Sequence, residues 1–149
     1  MFTIEIDGLE ELESEWRQLL SDVDDACKAS VTKAAVDGAS LARSNHPYTN
    51  RTGKLEEKTT GEYVGTKQPP VPREASLGGI LGASTVANDS GYQSHWARIR
   101  AARFYASFVE NGTVRSRPYP FMGQAYIKAE AVLYSELHSL VEKACAAFK

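Results

Sequence analysis

The sequence has few of the residues that usually carry metal, redox or covalent chemistry. It contains two cysteines and three histidines among 149 residues. Cys27 and Cys145 lie far apart in helical patterns, so we expect both to be small buried thiols and not a disulfide. His46, His95 and His138 fall in a predicted loop, strand and helix, and none has a second ligand at metal-binding spacing. We therefore expect no metal and no cofactor.

The sequence also lacks a long apolar run and a strong charge of either sign. No run approaches the roughly 18 apolar residues of a membrane-spanning helix. Residues 1–7 have neither the basic first region nor the apolar second region of a signal peptide. The net charge of −2 is not the basic balance of a nucleic-acid-binding domain. This composition predicts one soluble domain that folds in a cytoplasm, without a membrane partner.

Catalytic sequence motifs are missing as well. We find no nucleophile elbow, Walker loop or dinucleotide fingerprint. Neighbouring glutamates at 10–11 and 56–57 point apart along the chain, so we do not expect them to share acid–base work. A small enzyme or toxin-type protein would need a pocket lined by His95, Arg103 and Glu110, and we find no other basis for that alternative. We expect that the chain is not an enzyme.

Charge is distributed unevenly along the chain. Residues 1–45 carry 10 acids and 4 bases, whereas residues 46–118 carry 10 bases and 6 acids. This asymmetry is typical either of solvated surface or of a charge-complementary contact between copies or with a partner. Five arginines are candidates for contact with DNA or with a partner: Arg98, Arg100, Arg103, Arg115 and Arg117.

Hydrophobic periodicity predicts helices in the first part of the chain. Phe2, Ile4 and Ile6 alternate with polar residues as in a short strand, and apolar residues then recur at helical spacing across residues 9–42. Asp7 is the expected N-cap, and Ser and Asp at 21–22 predict a kink or a break between two helices. Pro47 is expected to stop the helical run.

The remaining chain predicts a sheet followed by helices. Strands are expected at 54–66, 79–86 and 95–104, with a Pro-rich loop at 68–73 and a turn at 88–91. The third strand should face solvent or a partner on one side. A short helix at 104–110 ends at Gly112, and a last helix starts near Phe121. The prediction is an α+β fold: an antiparallel sheet packed against two or three long helices in a single domain, with parts 1–45, 46–104 and 105–149.

Several short segments carry a family resemblance. They are Gly8-Leu9, Pro47, Thr52-Gly-Lys-Leu55, Tyr105-Ala-Ser-Phe-Val-Glu-Asn-Gly-Thr113 and Pro120-Phe-Met-Gly-Gln-Ala125. In order and spacing the chain resembles the gene-product-ten-like tail-component family of long-tailed bacteriophages. It departs from the family pattern in the Pro-rich insert at 67–79 and at Gly123-Gln124, where the family has an Arg-Pro-like pair.

The resemblance implies a structural virion protein at the neck or upper tail, acting in tail completion or head–tail joining. It implies a ring of copies, of which a hexamer is one form, in contact with neighbouring neck or tail proteins and non-specifically with DNA in the lumen. Assembly would take place in the bacterial host cytoplasm. The residues to which it assigns an assembly or structural role are Thr52, Gly53, Leu55, Tyr105, Ala106, Phe108, Glu110, Gly112, Thr113, Pro120, Phe121 and Ala125.

Residue chemistry leaves two roles open for the aromatic members of this set. Tyr105, Phe108 and Phe121 are rigid anchors of the kind that serve a core or an interface. In the interface hypothesis, a Phe121→Ala chain folds but fails to assemble. Glu110 is expected to hydrogen-bond the adjacent turn or to pair with a neighbour's arginine. The alternative function is a nucleic-acid-binding accessory protein that uses the Arg-rich strand.

Overall fold

The computed structural model describes residues 8–49, 52–69, 77–86 and 92–146. Its first element is α1, a helix of 36 residues spanning Leu9–Ser44. The N-cap is Gly8, which lies in the left-handed region at φ 87° and makes no side-chain cap. Asp7, the expected cap, and the predicted strand at 2–6 lie outside the described residues.

The predicted break at residues 21–22 is wrong, because α1 continues through it as one helix. Asp22 accepts a hydrogen bond from Gln18 one turn earlier, at 2.8 Å on the exposed side of the helix. An Asp engaged in this way does not cap a new helix, so the local signal for a helix start is overridden. The chain leaves the helix at Asn45, two residues before Pro47, as expected.

The middle of the chain forms a three-stranded antiparallel sheet. A short helix, α2, spans Lys54–Glu57, and the strands are β1 (Thr59–Gly65), β2 (Leu77–Val86) and β3 (Tyr92–Ala101), in the order β1-β3-β2. The expected strand over 54–66 is therefore wrong in its first part. Gly53, at φ 67°, starts α2, and Leu55 is the buried residue of this short helix.

The central strand β3 has one covered face and one outer face. His95, Ala97 and Ile99 are buried, whereas Arg98 and Arg100 between and beside them are half-buried on the opposite side. This alternation has the period of two of a strand with one face on the core. The interpretation of β3 as a strand with one solvent- or partner-facing side is therefore confirmed.

Two more helices complete the described chain. The short helix α3 spans Ala106–Asn111, and α4 spans Met122–Ala146. α1 packs against all three strands and against α4, which also contacts β2. The predicted α+β fold, with an antiparallel sheet on two long helices, is confirmed. The predicted turn at 88–91 and residues 70–76 of the Pro-rich insert lie outside the described residues.

The core is built around small residues of α1. Its buried positions are Cys27, Ser30, Val31, Ala34, Ala35, Gly38, Ala39 and Ala42. A Cβ on Gly61 of β1 would lie 2.0 Å from the carbonyl oxygen of Ala35, so the strand and helix backbones touch. Cys27 is buried as expected, and burial, followed by the charge of Asp24, raises the pKa of its thiol. Cys145 is exposed, so the expectation of a second buried thiol is wrong.

The backbone contact at Gly61 gives a testable prediction. Gly61→Ala should lower the free energy of unfolding by about 3 kcal/mol, because a backbone carbonyl cannot swing away as a side chain can. Thr60→Ala, at the exposed neighbouring position, should cost less than about 1 kcal/mol. Urea denaturation of both variants measures the difference. Equal losses would show that α1 can move off the sheet.

Candidate functional site

Two of the segments that carry the family resemblance, 52–55 and 105–113, meet at one groove near the C-terminal end of α1. Five predicted site residues lie in its wall: Thr52, Leu55, Tyr105, Phe108 and Thr113. The other lining residues are Tyr48, Thr49, Val109, Ser116 and Tyr119. The groove has a volume of about 400 Å³, within the range of ordinary binding pockets. Four of the ten lining residues are aromatic and two are aliphatic, and seven of the ten carry a hydroxyl group.

One side of the groove follows directly from the end of α1. The chain passes Pro47 into Tyr48, and Gly53 then adopts φ 67° at the start of α2. The N–H of Glu57 donates to the Gly53 carbonyl at 3.0 Å, which closes this single helical turn. Leu55 is only 5% exposed and anchors the turn to the core.

The other side is formed by α3 and the tight turn that follows it. Gly112 ends α3 at φ 75°, where a Cβ would lie 2.7 Å from the backbone nitrogen of Pro118. Thr113 and Ser116 exchange backbone hydrogen bonds of 2.8 and 3.2 Å. The N–H of Tyr119 then donates to the carbonyl of Val109 at 2.8 Å, so the turn folds back along α3.

Glu110 joins this turn to the long helix α4. Its carboxylate accepts hydrogen bonds from the backbone N–H groups of Phe121 at 2.7 Å, Met122 at 3.0 Å and Gly123 at 2.9 Å. A helix N-terminus presents unpaired N–H donors and a partial positive charge, and a carboxylate satisfies both. Glu110 thus does the work of an N-cap, but from another element. The sequence-based expectation placed its partner in the adjacent turn or on a neighbour instead.

Tyr48 connects the groove to the core. Its ring lies edge-on to Phe121 at 5.5 Å and stacks on His46 at 4.1 Å. Its hydroxyl is buried and has no hydrogen-bond partner in the described part of the chain. Burial, followed by the negative charge of Glu56, raises the pKa of Tyr48 to about 12. His46 Nε2 lies 2.6 Å from Glu56 Oε1, so this carboxylate is itself held in place.

The predicted anchors separate into core and surface. Phe121 is 1% exposed, and Ala106 and Ala125 are equally buried, so these three belong to the core. The interface hypothesis for Phe121 is therefore wrong, because its side chain is not available to a partner and Phe121→Ala would open a cavity. Phe108, in contrast, is 56% exposed. Pro120 is also exposed, between the groove and α4.

The five candidate arginines do not form one patch. Arg98 is paired with Glu62 across the outer face of the sheet, and Arg103 donates to the Lys54 carbonyl at 3.1 Å. Arg117 donates to the Tyr119 hydroxyl at 3.0 Å and lies over its ring. Arg100 is half-buried with a buried Nε, and Arg115 is exposed at the turn after α3. Arg98 and Arg100 lie on the sheet, whereas the other three arginines lie beside the groove.

The pocket that an enzymatic role would need, lined by His95, Arg103 and Glu110, is not formed. The three side chains bind different partners: Asp24, the Lys54 carbonyl and the N-terminus of α4, respectively. His95 is buried between Tyr63, whose hydroxyl lies 2.9 Å from Nδ1, and Asp24, whose carboxylate lies 2.9 Å from Nε2. Since a carboxylate only accepts, Nε2 carries the proton and Nδ1 accepts from Tyr63 in the neutral ring. Sequence reasoning missed this network, whose members are 32 and 71 residues apart.

Two further properties of the described residues bear on the site. No group of three or more histidine, cysteine or acidic side chains in the described ranges is arranged to hold a metal ion. Among the described helices, none has the length and apolar character needed to cross a membrane.

The Glu110 cap gives a prediction on stability. Glu110→Ala should lower the free energy of unfolding by about 2–3 kcal/mol, because three backbone donors lose a charged acceptor. Glu110→Gln keeps one acceptor oxygen and should lose roughly half as much. Glu142→Ala removes an exposed carboxylate of α4 and should change stability by less than about 0.5 kcal/mol. Equal stability of Glu110→Ala and Glu142→Ala in urea would rule out the cap.

The environment of Tyr48 gives a prediction on pH. Its pKa is about 12 when folded against about 10 when unfolded, so the unfolded chain loses this proton first as pH rises. Stability from Tyr48 is complete below pH 10 and should fall by about 1–2 kcal/mol toward pH 12. Tyr48→Phe should flatten this part of the stability curve, whereas Tyr134→Phe, at a position 67% exposed, should not. Parallel curves for wild type and Tyr48→Phe would contradict the assignment.

No family model, no curated protein and no solved structure matches this chain. The resemblance of the motif segments to phage tail components therefore stays an expectation. Any function assigned to the chain depends on that resemblance and on the groove, the cap and the surface described above.

Proposed function

We propose that the chain is a structural protein of a tailed bacteriophage or prophage, located at the neck or upper tail. In this role several copies form a ring that completes the tail or joins it to the head. DNA passing through the lumen makes non-specific contact at most. The protein acts by shape and assembly and not by chemistry on a substrate.

One observation carries this proposal: two segments of the resemblance, 52–55 and 105–113, lie far apart in the chain and line one shaped surface. Thr52 and Leu55 reach the same groove as Tyr105, Phe108 and Thr113. Glu110 then fixes that surface to the start of α4 through three hydrogen bonds. A fixed surface with exposed aromatic residues suits a partner protein, for which rigid aromatic anchors supply most of the binding energy.

The exposed apolar residues beside the groove support the same reading. Phe104 is 74% exposed, Phe108 is 56% exposed and Val114 is fully exposed. Single exposed apolar residues are ordinary, but a cluster on one short segment marks an interaction surface. The nucleic-acid alternative gains less support, since Arg98 is already paired with Glu62 and the five arginines do not form one patch.

Electron microscopy of lysates tests the proposal directly. With the gene disrupted in the phage or prophage that carries it, full heads beside finished but unattached tails would place the protein at the joining step. Heads without tails, or tails of uncontrolled length, would place it in tail assembly. Normal joined particles would overturn the proposal and favour the DNA-binding alternative.

Complementation of the disrupted phage sharpens this test. Phe108→Glu places a charge on the groove without opening the core, so it should yield a folded protein that does not restore particles. Ile127→Glu makes the same change at an α4 position that is 66% exposed and outside the groove, and it should restore them. Circular dichroism on both purified variants checks that they are folded.

A further inference from the structure

Two exposed surfaces of opposite charge lie at opposite ends of α1. The first is the overhang, defined as residues 9–18, all of which are exposed. Within the described part of the chain, Leu20 of α1 lines a cavity with Ala144 and Cys145 at the end of α4. The overhang is about 15 Å long and precedes this contact along α1.

The overhang is amphipathic and acidic. Leu9 and Leu12 share one side of the helix and are 56% and 59% exposed. Four glutamates and one arginine complete its charges, and the arginine, Arg17, is bound to Glu13 at 2.8 Å. The spacing of three residues between Leu9 and Leu12 places both apolar side chains on one face, as in a helix that fills a groove on a partner.

The second surface is the groove with its rim. Phe104 and Val114 extend the apolar lining outward beyond Phe108. Arg103, Arg115 and Arg117 bring positive charge to the same region. Three acids of the described residues lie nearby, and each has a partner. Glu110 has its carboxylate committed to the N-terminus of α4. Glu56 lies 2.6 Å from His46, and Glu57 lies 3.8 Å from Lys58. The rim thus has the charge sign that complements the overhang.

A single chain cannot bring these two surfaces together. α1 is continuous over 36 residues, which gives a length of about 54 Å. The overhang lies at its N-terminal end, whereas Tyr48 and Thr49 of the groove follow its C-terminal end. Contact between them therefore requires two molecules.

We propose that the overhang of one copy docks in the groove of the next, with Leu9 and Leu12 against the aromatic lining. The glutamates of the overhang then face the arginines of the rim. The buried aromatic anchors supply affinity, and the surrounding charges supply orientation and the rate of association. The occupant of the groove is a second copy of this chain.

This contact is heterologous, because it joins two different surfaces. When two copies meet, one still has a free overhang and the other a free groove. Further copies can therefore add until the contacts close into a ring or continue as a filament. The inference rests on the proposed assembly function and deepens it by naming the surfaces through which copies meet.

Cross-linking between single-cysteine chains tests this contact. In a Cys145→Ser background, which leaves only buried Cys27, one population carries Leu12→Cys and the other Ser116→Cys, at an exposed position in the groove wall that keeps Phe108 in place. A short bismaleimide added to the mixture should give mixed dimers in about tenfold excess over a mixture of Ser14→Cys with Ser116→Cys. Ser14 is exposed on the far side of the same helix, about 200° from Leu12.

Charge reversal provides a second readout. Arg115→Glu with Arg117→Glu on the groove chain should lower the yield of mixed dimers about tenfold. Glu13→Lys with Glu15→Lys on the overhang chain should restore it. Raising the salt concentration should weaken the wild-type contact in the same direction.

Three results would overturn the inference: dimers of Leu12→Cys with itself in excess, equal yields with the Ser14→Cys control, or a chain that stays monomeric and uncross-linked at all concentrations. These results leave the particle morphology of the gene disruption unaffected. Conversely, normal particles from the disrupted phage would remove the assembly function even where the mixed dimers form.

Discussion

The close approach of α1 to the sheet is the constraint on which the rest of the structure depends. At Gly61 the backbone of β1 rests on the carbonyl of Ala35, and Gly38 faces Ala129 of α4 with no room for another carbon. Because these positions carry almost no side chain, one helix can contact three strands and a second helix at once. The groove lies where this packed region ends, so its walls are held by the same contacts.

Hydrophobic period and stop signals predict most of the fold. The helices α1 and α4, the strand β3 with its covered face and the α3 stop at Gly112 all follow from patterns longer than one turn or from a glycine at a required conformation. α2 has four residues and therefore no period to detect. The residues at 21–22 fit either a helix start or an exposed mid-helix position, and only the contact with Gln18 decides between them.

The candidate site divides in the same way. The motif residues could be named from the sequence, but their roles could not, because Phe108 and Phe121 are the same residue type with opposite environments. Only the tertiary structure separates an exposed anchor from a buried one. The role of Glu110 depends on α4 starting beside it, at a separation of 11 residues in the chain. The hydrogen-bond network of His95 joins it to Tyr63 and Asp24, which lie too far away in the sequence for any local pattern to connect them.

The length of α1 has a geometric consequence for any assembly built from this chain. A helix of 36 residues, about 54 Å long, moves its tip by about 1 Å for each degree of tilt at its base. In the contact proposed above, side-chain repacking at the groove over a distance of one methyl group would therefore change the direction of the next subunit. The number of subunits in a closed ring is set by the angle between neighbouring copies. In such a ring, a small change in packing at one end of α1 would give a larger displacement at the other end.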